Sequence, residues 1–306
     1  MLRRALLSAS RNPTIAQAVR TAPLSRDVVR RFVAGETTQQ AVATTRELVG
    51  AGLTVSLDHL GEDTVEIAQA KAVVRAYLDL LAVLADEGLT AGAEVSVKLS
   101  AIGQSLDDSM CLDHATSIVE AATRAGTTVT FDMEDHTTTD ATLDTLATVR
   151  KEHPQTGAVI QAYLRRSAGD VEDLIRSQAR VRLCKGAYKE PESVAFQGRK
   201  QVDLSYVRLL VRLMTDGAYP MIASHDPRLI AITDSLARRL DRAPGSYEYQ
   251  MLYGIRPAEQ RRLAAAGNRV RVYVPYGEEW YGYFMRRLAE RPANLAFFLR
   301  SLATKS

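Results

Sequence analysis

Along residues 53–277, short apolar or β-branched runs alternate with longer stretches of helical period. The short runs are LTVSLDHL (53–60), EVSVKLSA (94–101), TTVTFDME (127–134), AVIQAYL (158–164), VRLCKGAY (181–188), PMIASHD (220–226), YEYQMLYG (247–254) and VRVYVPYG (270–277). Between them lie stretches such as DTVEIAQAKAVVRAYLDLLAVLADEG and LSYVRLLVRLMTDG, the second ending on a glycine suited to a helix C-cap. Strands alternating with helices predict a parallel sheet with the helices packed outside it. Eight such units without a break in composition predict an α/β chain closed as a (β/α)8 barrel. No Pro/Gly/Ser linker divides the chain, so a single domain is expected over 1–306, with N-terminal helices over 1–50 and the barrel over 53–306.

The N-terminal stretch MLRRALLSASRNPTIAQAVR has four arginines and no acid, a composition shared with organellar presequences. Leu2, Ala5 and Leu6, then Ile15, Ala18 and Val19, nevertheless fall at helical spacing, which favours an amphipathic helix of the domain itself.

A barrel of this kind gathers its chemistry at the C-terminal ends of its strands. Each strand is read here as apolar within and polar at its exit. The exit residues are Asp58 and His59; Lys98; Asp132 and Glu134; Gln161; Arg182 and Lys185; His225 and Asp226; Gln250; and Tyr273. In VRLCKGAYKEP, two cations and the small pair Gly186-Ala187 suit an anionic ligand that approaches the backbone closely. Lys98 and Asp132 either hold substrate charge or form a salt bridge on the barrel rim. Gln161 can both donate and accept, as reading a heterocycle edge requires. His225-Asp226 lacks any HxH or HExxH spacing for a metal, and neither GxGxxG nor GxxxxGK[ST] occurs.

Near the C-terminus, YFMRRLAE places Tyr283, Arg286, Arg287 and Glu290 on one helical face. Arginine preceding glutamate is the weaker orientation of a pair that contributes only about 0.2–0.5 kcal/mol. Forked capture of a carboxylate explains two adjacent arginines better. The helix directly follows the eighth strand and is expected to lie over the barrel mouth as a lid.

Composition adds limits. The chain has 306 residues, 46% hydrophobic and 25% charged, as in ordinary globular proteins. A net charge of +3 is too small to make nucleic acid the main partner. Two cysteines make no disulfide framework, which favours a reducing cytoplasm. No apolar run reaches the roughly 18–20 residues of a membrane span.

Together VKLSA, FDMED, QAYLRR, RLCKGAYKEP, SHDP, YQMLYG, RVYVPYG and YFMRRLAERPAN resemble bacterial proline dehydrogenases, specifically the short monofunctional form. The resemblance runs the length of the chain, and its RLxKGAY and YxxRRxxE motifs are specific to that family. It implies a distorted, TIM-like (β/α)8 barrel with extra N-terminal helices and a C-terminal helix over the mouth. It implies non-covalent FAD, oxidation of L-proline to Δ1-pyrroline-5-carboxylate, and a quinone as electron acceptor. A peripheral membrane contact, a transient contact with pyrroline-5-carboxylate dehydrogenase and a cytoplasmic location go with it. It also places the basic N-terminus within the folded domain.

Carried onto this chain, the resemblance gives Arg286 and Arg287 the proline carboxylate, with Glu290 and Lys98 completing an ion-pair network. Tyr283, Tyr273 and Leu252 would pack on the pyrrolidine ring. Arg182 would sit by flavin N5, and Asp132 would pair with Lys98. Met133, Gln161, Lys185, Gly186, Ala187, Tyr188, Ser224 and His225 would line FAD. Lys189 replaces a tryptophan of the bifunctional relatives, and Tyr273 argues for proline over hydroxyproline because its ring would crowd a ring hydroxyl. Two rivals stand beside this reading. One is a flavoenzyme for hydroxyproline or another cyclic secondary amino acid. The other is a metal-dependent barrel hydrolase or lyase using Asp58, His59, His225 and Asp226.

Overall fold

The computed structural model describes residues 29–61 and 64–290. Eight strands, β1 (Thr54–His59), β2 (Ala93–Val97), β3 (Val129–Phe131), β4 (Gly157–Gln161), β5 (Arg180–Cys184), β6 (Tyr219–Ala223), β7 (Glu248–Leu252) and β8 (Val270–Tyr276), form a closed barrel in sequence order. All neighbours are parallel, and β1 closes on β8 from Thr54↔Arg271 to His59↔Tyr276. Outside the barrel lie α1 (Thr38–Gly50), α2 (Ile67–Asp86), α3 (Asp108–Arg124), α4 (Thr139–Val149), α5 (Ser167–Arg176), α6 (Arg199–Asp216), α7 (Pro227–Arg239), α8 (Pro257–Ala265) and α9 (Trp280–Glu290).

Each expected strand is present at its expected place, with ends that differ by a few residues. The run expected over 181–188 leaves the sheet at Cys184 because Gly186, at φ +107°, takes a backbone conformation closed to other residues. The helices follow their apolar periodicity. In α2, Ala70, Val74, Tyr77, Leu80, Leu81 and Leu84 form the buried stripe. Thr37 and Gln40 make a capping box at the start of α1. Asp226 caps α7 by accepting from Arg228 N, with Pro227 at the first helical position.

The strand interiors correct the sequence reading. Six of them are not apolar with a polar exit but alternate, while β4 and β6 keep apolar interiors. Val55 and Leu57, Val95 and Val97, Val129 and Phe131, Val181 and Leu183, Tyr249 and Met251, and Val272 and Val274 join the apolar core. The alternate residues turn toward the barrel axis: Ser56 and Asp58, Glu94 and Ser96, Thr130 and Asp132, Arg180 and Arg182, Glu248 and Gln250, Arg271 and Tyr273. Hydrogen bonds between non-adjacent strands, such as Arg182 to Ser56 and Tyr273 to Asp132, establish that these side chains meet inside. Arg182, Gln250 and Tyr273 therefore stand within their strands rather than at the exits.

Residues 29–36 run across the mouth beside α9. Ala34 N donates to Pro275 O at 2.9 Å and Gly277 N to Gly35 O at 3.0 Å. Trp280 Nε1 donates to Glu36 at 2.8 Å. Val29, Phe32 and Val33 join Leu60, Ile255, Trp280, Tyr281, Tyr283, Phe284 and Met285 in one apolar cluster. Gly254 (φ +72°) passes so close that a Cβ would stand 1.7 Å from Arg31 O, so only glycine fits there. The helix expected within residues 1–20 lies outside the described residues.

Candidate active site

The barrel mouth divides into two arcs. In the first, formed by β1, β2, β3 and β8 with a contribution from β5, charged side chains bind one another. Lys98 Nζ lies 2.7 Å from both carboxylate oxygens of Asp58 and 3.4 Å from the Tyr273 hydroxyl. Its distance to Asp132 is 3.7 Å, so the pairing expected from the sequence is the looser of two. Tyr273 donates its hydroxyl to Asp132 Oδ2 at 2.6 Å. Asp132 Oδ1 accepts from Ser96 Oγ at 2.8 Å and from Arg182 Nη1 at 2.7 Å.

Arg182 is 4% exposed and is the hub of this arc. Its Nη1 also donates to Ser96 Oγ at 2.8 Å. Nη2 reaches Ser56 Oγ at 3.1 Å and Glu94 Oε1 at 3.4 Å. The Tyr273 ring centroid lies 5.3 Å from the guanidinium carbon. Nε is buried and has no hydrogen-bond partner. A buried N–H without an acceptor costs about 1–3 kcal/mol, so Nε is left as a donor that a ligand or a water would satisfy.

One layer below Arg182 along the barrel axis lies a second, largely buried charged cluster. Glu94 takes Arg180 at 2.7 Å, Arg182 at 3.4 Å and Arg271 at 3.7 Å, while Glu248 takes Arg271 at 2.6 Å. Burial alone would raise the Glu94 carboxyl, but Arg271, Arg180 and Arg182 outweigh it and hold the group well below its ordinary range. At the mouth the balance differs. Burial pushes the Asp58 carboxyl above its ordinary 3.8, with Lys98 opposing. Burial, then the nearby Asp132 charge, pushes the Tyr273 hydroxyl far up, so it stays protonated and remains a donor.

The second arc, from β4 to β6, binds mostly main chain, with Lys185 as the exception. Gln161 Nε2 donates to Glu134 O at 2.6 Å. His225 Nε2 accepts from Leu252 N at 2.9 Å, which puts the proton of a neutral ring on Nδ1. Ser224 Oγ accepts from Asp226 N at 3.1 Å. Lys185 pairs with Asp203 at 2.5 Å and Asp226 at 3.2 Å. At Gly186 the space where a Cβ would lie is filled by the Tyr163 ring, 2.3 Å away, so a side chain there would collide with it. Nearby, Met133 is buried, Ala187 exposed and Tyr188 half-buried. The Gln161, Lys185 and Ser224 backbones are neighbours at successive strand exits, because β4 to β6 pair in register up to Gln161↔Cys184 and Leu183↔Ile222.

Over the mouth, Tyr283 is buried against the half-buried Leu252, and the Arg287 guanidinium lies 5.2 Å from the Tyr283 ring centroid. Arg286 and Glu290 belong to α9, but their side chains lie outside the described residues. Sequence reasoning missed Asp58 as the close partner of Lys98 and missed Glu94 altogether. It also missed Glu190, which accepts from His136 N at 3.0 Å, pairs with His136 Nδ1 and takes the Tyr163 hydroxyl at 3.3 Å. The period-two polar pattern of β1 and β2 was the signal for the first two.

The donor set suits an anionic or electron-rich planar ligand rather than a metal. Among the described residues no group of three His, Cys, Asp or Glu side chains is arranged to hold a metal ion. Asp58 is held by Lys98, His225 by Leu252 N, and Asp226 caps a helix. Burial pushes the Cys184 thiol up to about 12, so it is no nucleophile near neutrality.

The proline dehydrogenase family model matches residues 41–300. Proline dehydrogenase 1 of Bacillus subtilis (strain 168) is 39% identical over 305 residues, covering 100% of both chains. The proline dehydrogenase of Deinococcus radiodurans is 37% identical over 309 residues, 99% of this chain and 98% of that one. The crystal structure of proline utilization A from Bdellovibrio bacteriovorus inactivated by N-propargylglycine superposes with a TM-score of 0.82 at 25% identity. That match covers 87% of this chain and 33% of the solved one, so the chain spans about a third of that larger protein.

Proposed function

The chain belongs to the proline dehydrogenase family, and on that premise we propose that it oxidises L-proline to Δ1-pyrroline-5-carboxylate with non-covalent FAD. The observation that carries the reading is Arg182: a buried cation held on both amino nitrogens, with Nε left over as a donor. An electron-rich flavin atom is the acceptor that such a donor suits. Bound FAD supplies the two-electron acceptor, and the protein supplies position and charge.

Met133, Gln161, Lys185, Gly186, Ala187, Tyr188, Ser224 and His225 would hold the cofactor along the second arc. The first arc and α9 would hold proline. Arg286 and Arg287 would fork onto the carboxylate, with Glu290 and Lys98 completing the ion-pair network. Tyr283, Tyr273 and Leu252 would enclose the apolar ring. Clamping at the carboxylate presents the ring carbon beside nitrogen for hydride departure, since positioning is what such a transfer needs most. Asp132 holds Arg182 and Tyr273 in place from one carboxylate. Held there, the Tyr273 ring would crowd a substrate's ring hydroxyl, which would favour proline over hydroxyproline.

Electrons would pass on to a quinone at a membrane surface, with the product handed to pyrroline-5-carboxylate dehydrogenase. Among the described residues no helix is long and apolar enough to cross a membrane, so the contact would be peripheral. Anaerobic titration of the purified yellow protein with L-proline and with hydroxyproline tests the reading. Bleaching of the flavin by proline at lower concentration is expected. A colourless protein, or a flavin that proline does not reduce, would overturn it.

A further inference from the structure

We infer that Glu94, from below the reacting layer, is a positioning residue that holds Arg182 and tempers the positive charge it presents to the cofactor. The inference rests on the flavin reading above and extends it one layer down the barrel axis.

The geometry around Arg182 is two-sided. On one side Nη1 is held by Ser96 Oγ and Asp132 Oδ1. On the other, Nη2 is held by Ser56 Oγ and Glu94 Oε1. Each side pairs one serine with one carboxylate, and each serine also donates to its own carboxylate: Ser96 to Asp132 at 2.8 Å and Ser56 to Glu94 at 3.1 Å. A guanidinium gripped at both amino nitrogens cannot rotate about its stem. Nε is then the one N–H left to face a ligand.

Glu94 is itself immobile. It is 1% exposed and accepts from Ser56, Thr128, Thr130 and Arg180 besides Arg182. A glutamate at the start of β2 serves no purpose in an ordinary barrel, where this layer is filled by branched apolar side chains. Burying an ion pair rarely gains stability over an apolar replacement, so stability is a weak reason for it. Asp132 at 2.7 Å and Glu94 at 3.4 Å both bear on the Arg182 charge, while Glu94 also serves Arg180 and Arg271. Without Glu94, Arg182 would present more net positive charge, and the reduced, electron-rich flavin would be favoured.

The test is the flavin midpoint potential of the holoenzyme, measured by equilibration with a reference dye. Glu94→Gln is expected to shift the oxidised-to-reduced balance about tenfold toward the reduced form, roughly 30 mV upward for a two-electron couple. Ser56→Ala, which removes the bridge but keeps the charge, is expected to shift it in the same direction by less, and carries the test alone if Glu94→Gln does not fold. Glu248→Gln removes an equal charge from the same buried cluster without touching Arg182, and is expected to move the potential at most a third as far. An unchanged or lowered potential in Glu94→Gln and Ser56→Ala overturns the inference, as does an equal shift in Glu248→Gln. A wild-type protein that holds no flavin fails the functional reading instead, before any variant is compared.

Discussion

Between β8 and β3 the mouth is lined by side chains that hold one another: Lys98 with Asp58, Tyr273 with Asp132, Arg182 with Asp132. Between β4 and β6 the polar side chains mostly hold backbone: Gln161 takes Glu134 O, His225 takes Leu252 N, and Ser224 takes Asp226 N. The first arc therefore depends on charge balance in a buried place, where each partner is needed by the others. The second arc is a scaffold whose shape would survive the loss of most single charges. A substrate with a carboxylate and an amine suits the first; a long, planar cofactor held mainly by shape suits the second.

The largest expected effect breaks the first arc. Lys98→Met leaves Asp58 and Asp132 close together without the ammonium between them, a loss of about 3–5 kcal/mol for one partner of a buried ion pair. Urea unfolding of the variant should show it, together with a steep fall in proline turnover. An unchanged unfolding midpoint would mean that this arc is not held by charge.

A smaller effect probes the second. Gly186→Ala would drive a Cβ into the Tyr163 ring at a positive φ, costing about 1–3 kcal/mol. Flavin content after purification should drop while the KM for proline of the loaded fraction stays close to wild type. A variant that kept its flavin but lost affinity for proline would erase the division between the arcs.

The smallest effect concerns the seam between them, at Cys184. Burial pushes both Cys184 and Cys111 up to about 12, so at pH 8 only about one thiol in ten thousand is ionised. A thiol reagent should therefore leave the folded protein unlabelled over the time in which it labels the unfolded chain. Rapid labelling of Cys184, which is half-buried, would show that its surroundings do not hold the thiol protonated.

The barrel was legible because its signals are local and repeated. Each strand is marked by β-branched, aromatic or other apolar residues, and the helices between them by a 3.6-residue stripe. The strand ends were less so, since a run such as VRLCKGAY continues its apolar character past the glycine that ends the strand. The site was legible as a set of residue types at one end of the barrel, with roles supplied by the family resemblance. Pairings were not. Lys98 lies forty residues from Asp58 and thirty-four from Asp132 along the chain, and only the closed barrel decides which carboxylate is nearer. Glu94 escaped notice because a charged residue opening a strand looks like a solvated loop end. Its companions Arg180, Glu248 and Arg271 also open their strands, and the recurrence was the missed clue.

The bond from Trp280 to Glu36 joins positions 244 residues apart, and it seats α9 on a segment that precedes the whole barrel. During synthesis that seat leaves the ribosome early and waits through eight strand–helix units for its occupant. The helix expected to grip substrate can thus dock only after all eight strands are made, through contacts of very long sequence separation, which are slow to form. Folding and readiness to bind substrate then become separate events in time: a closed barrel can exist before its mouth is finished.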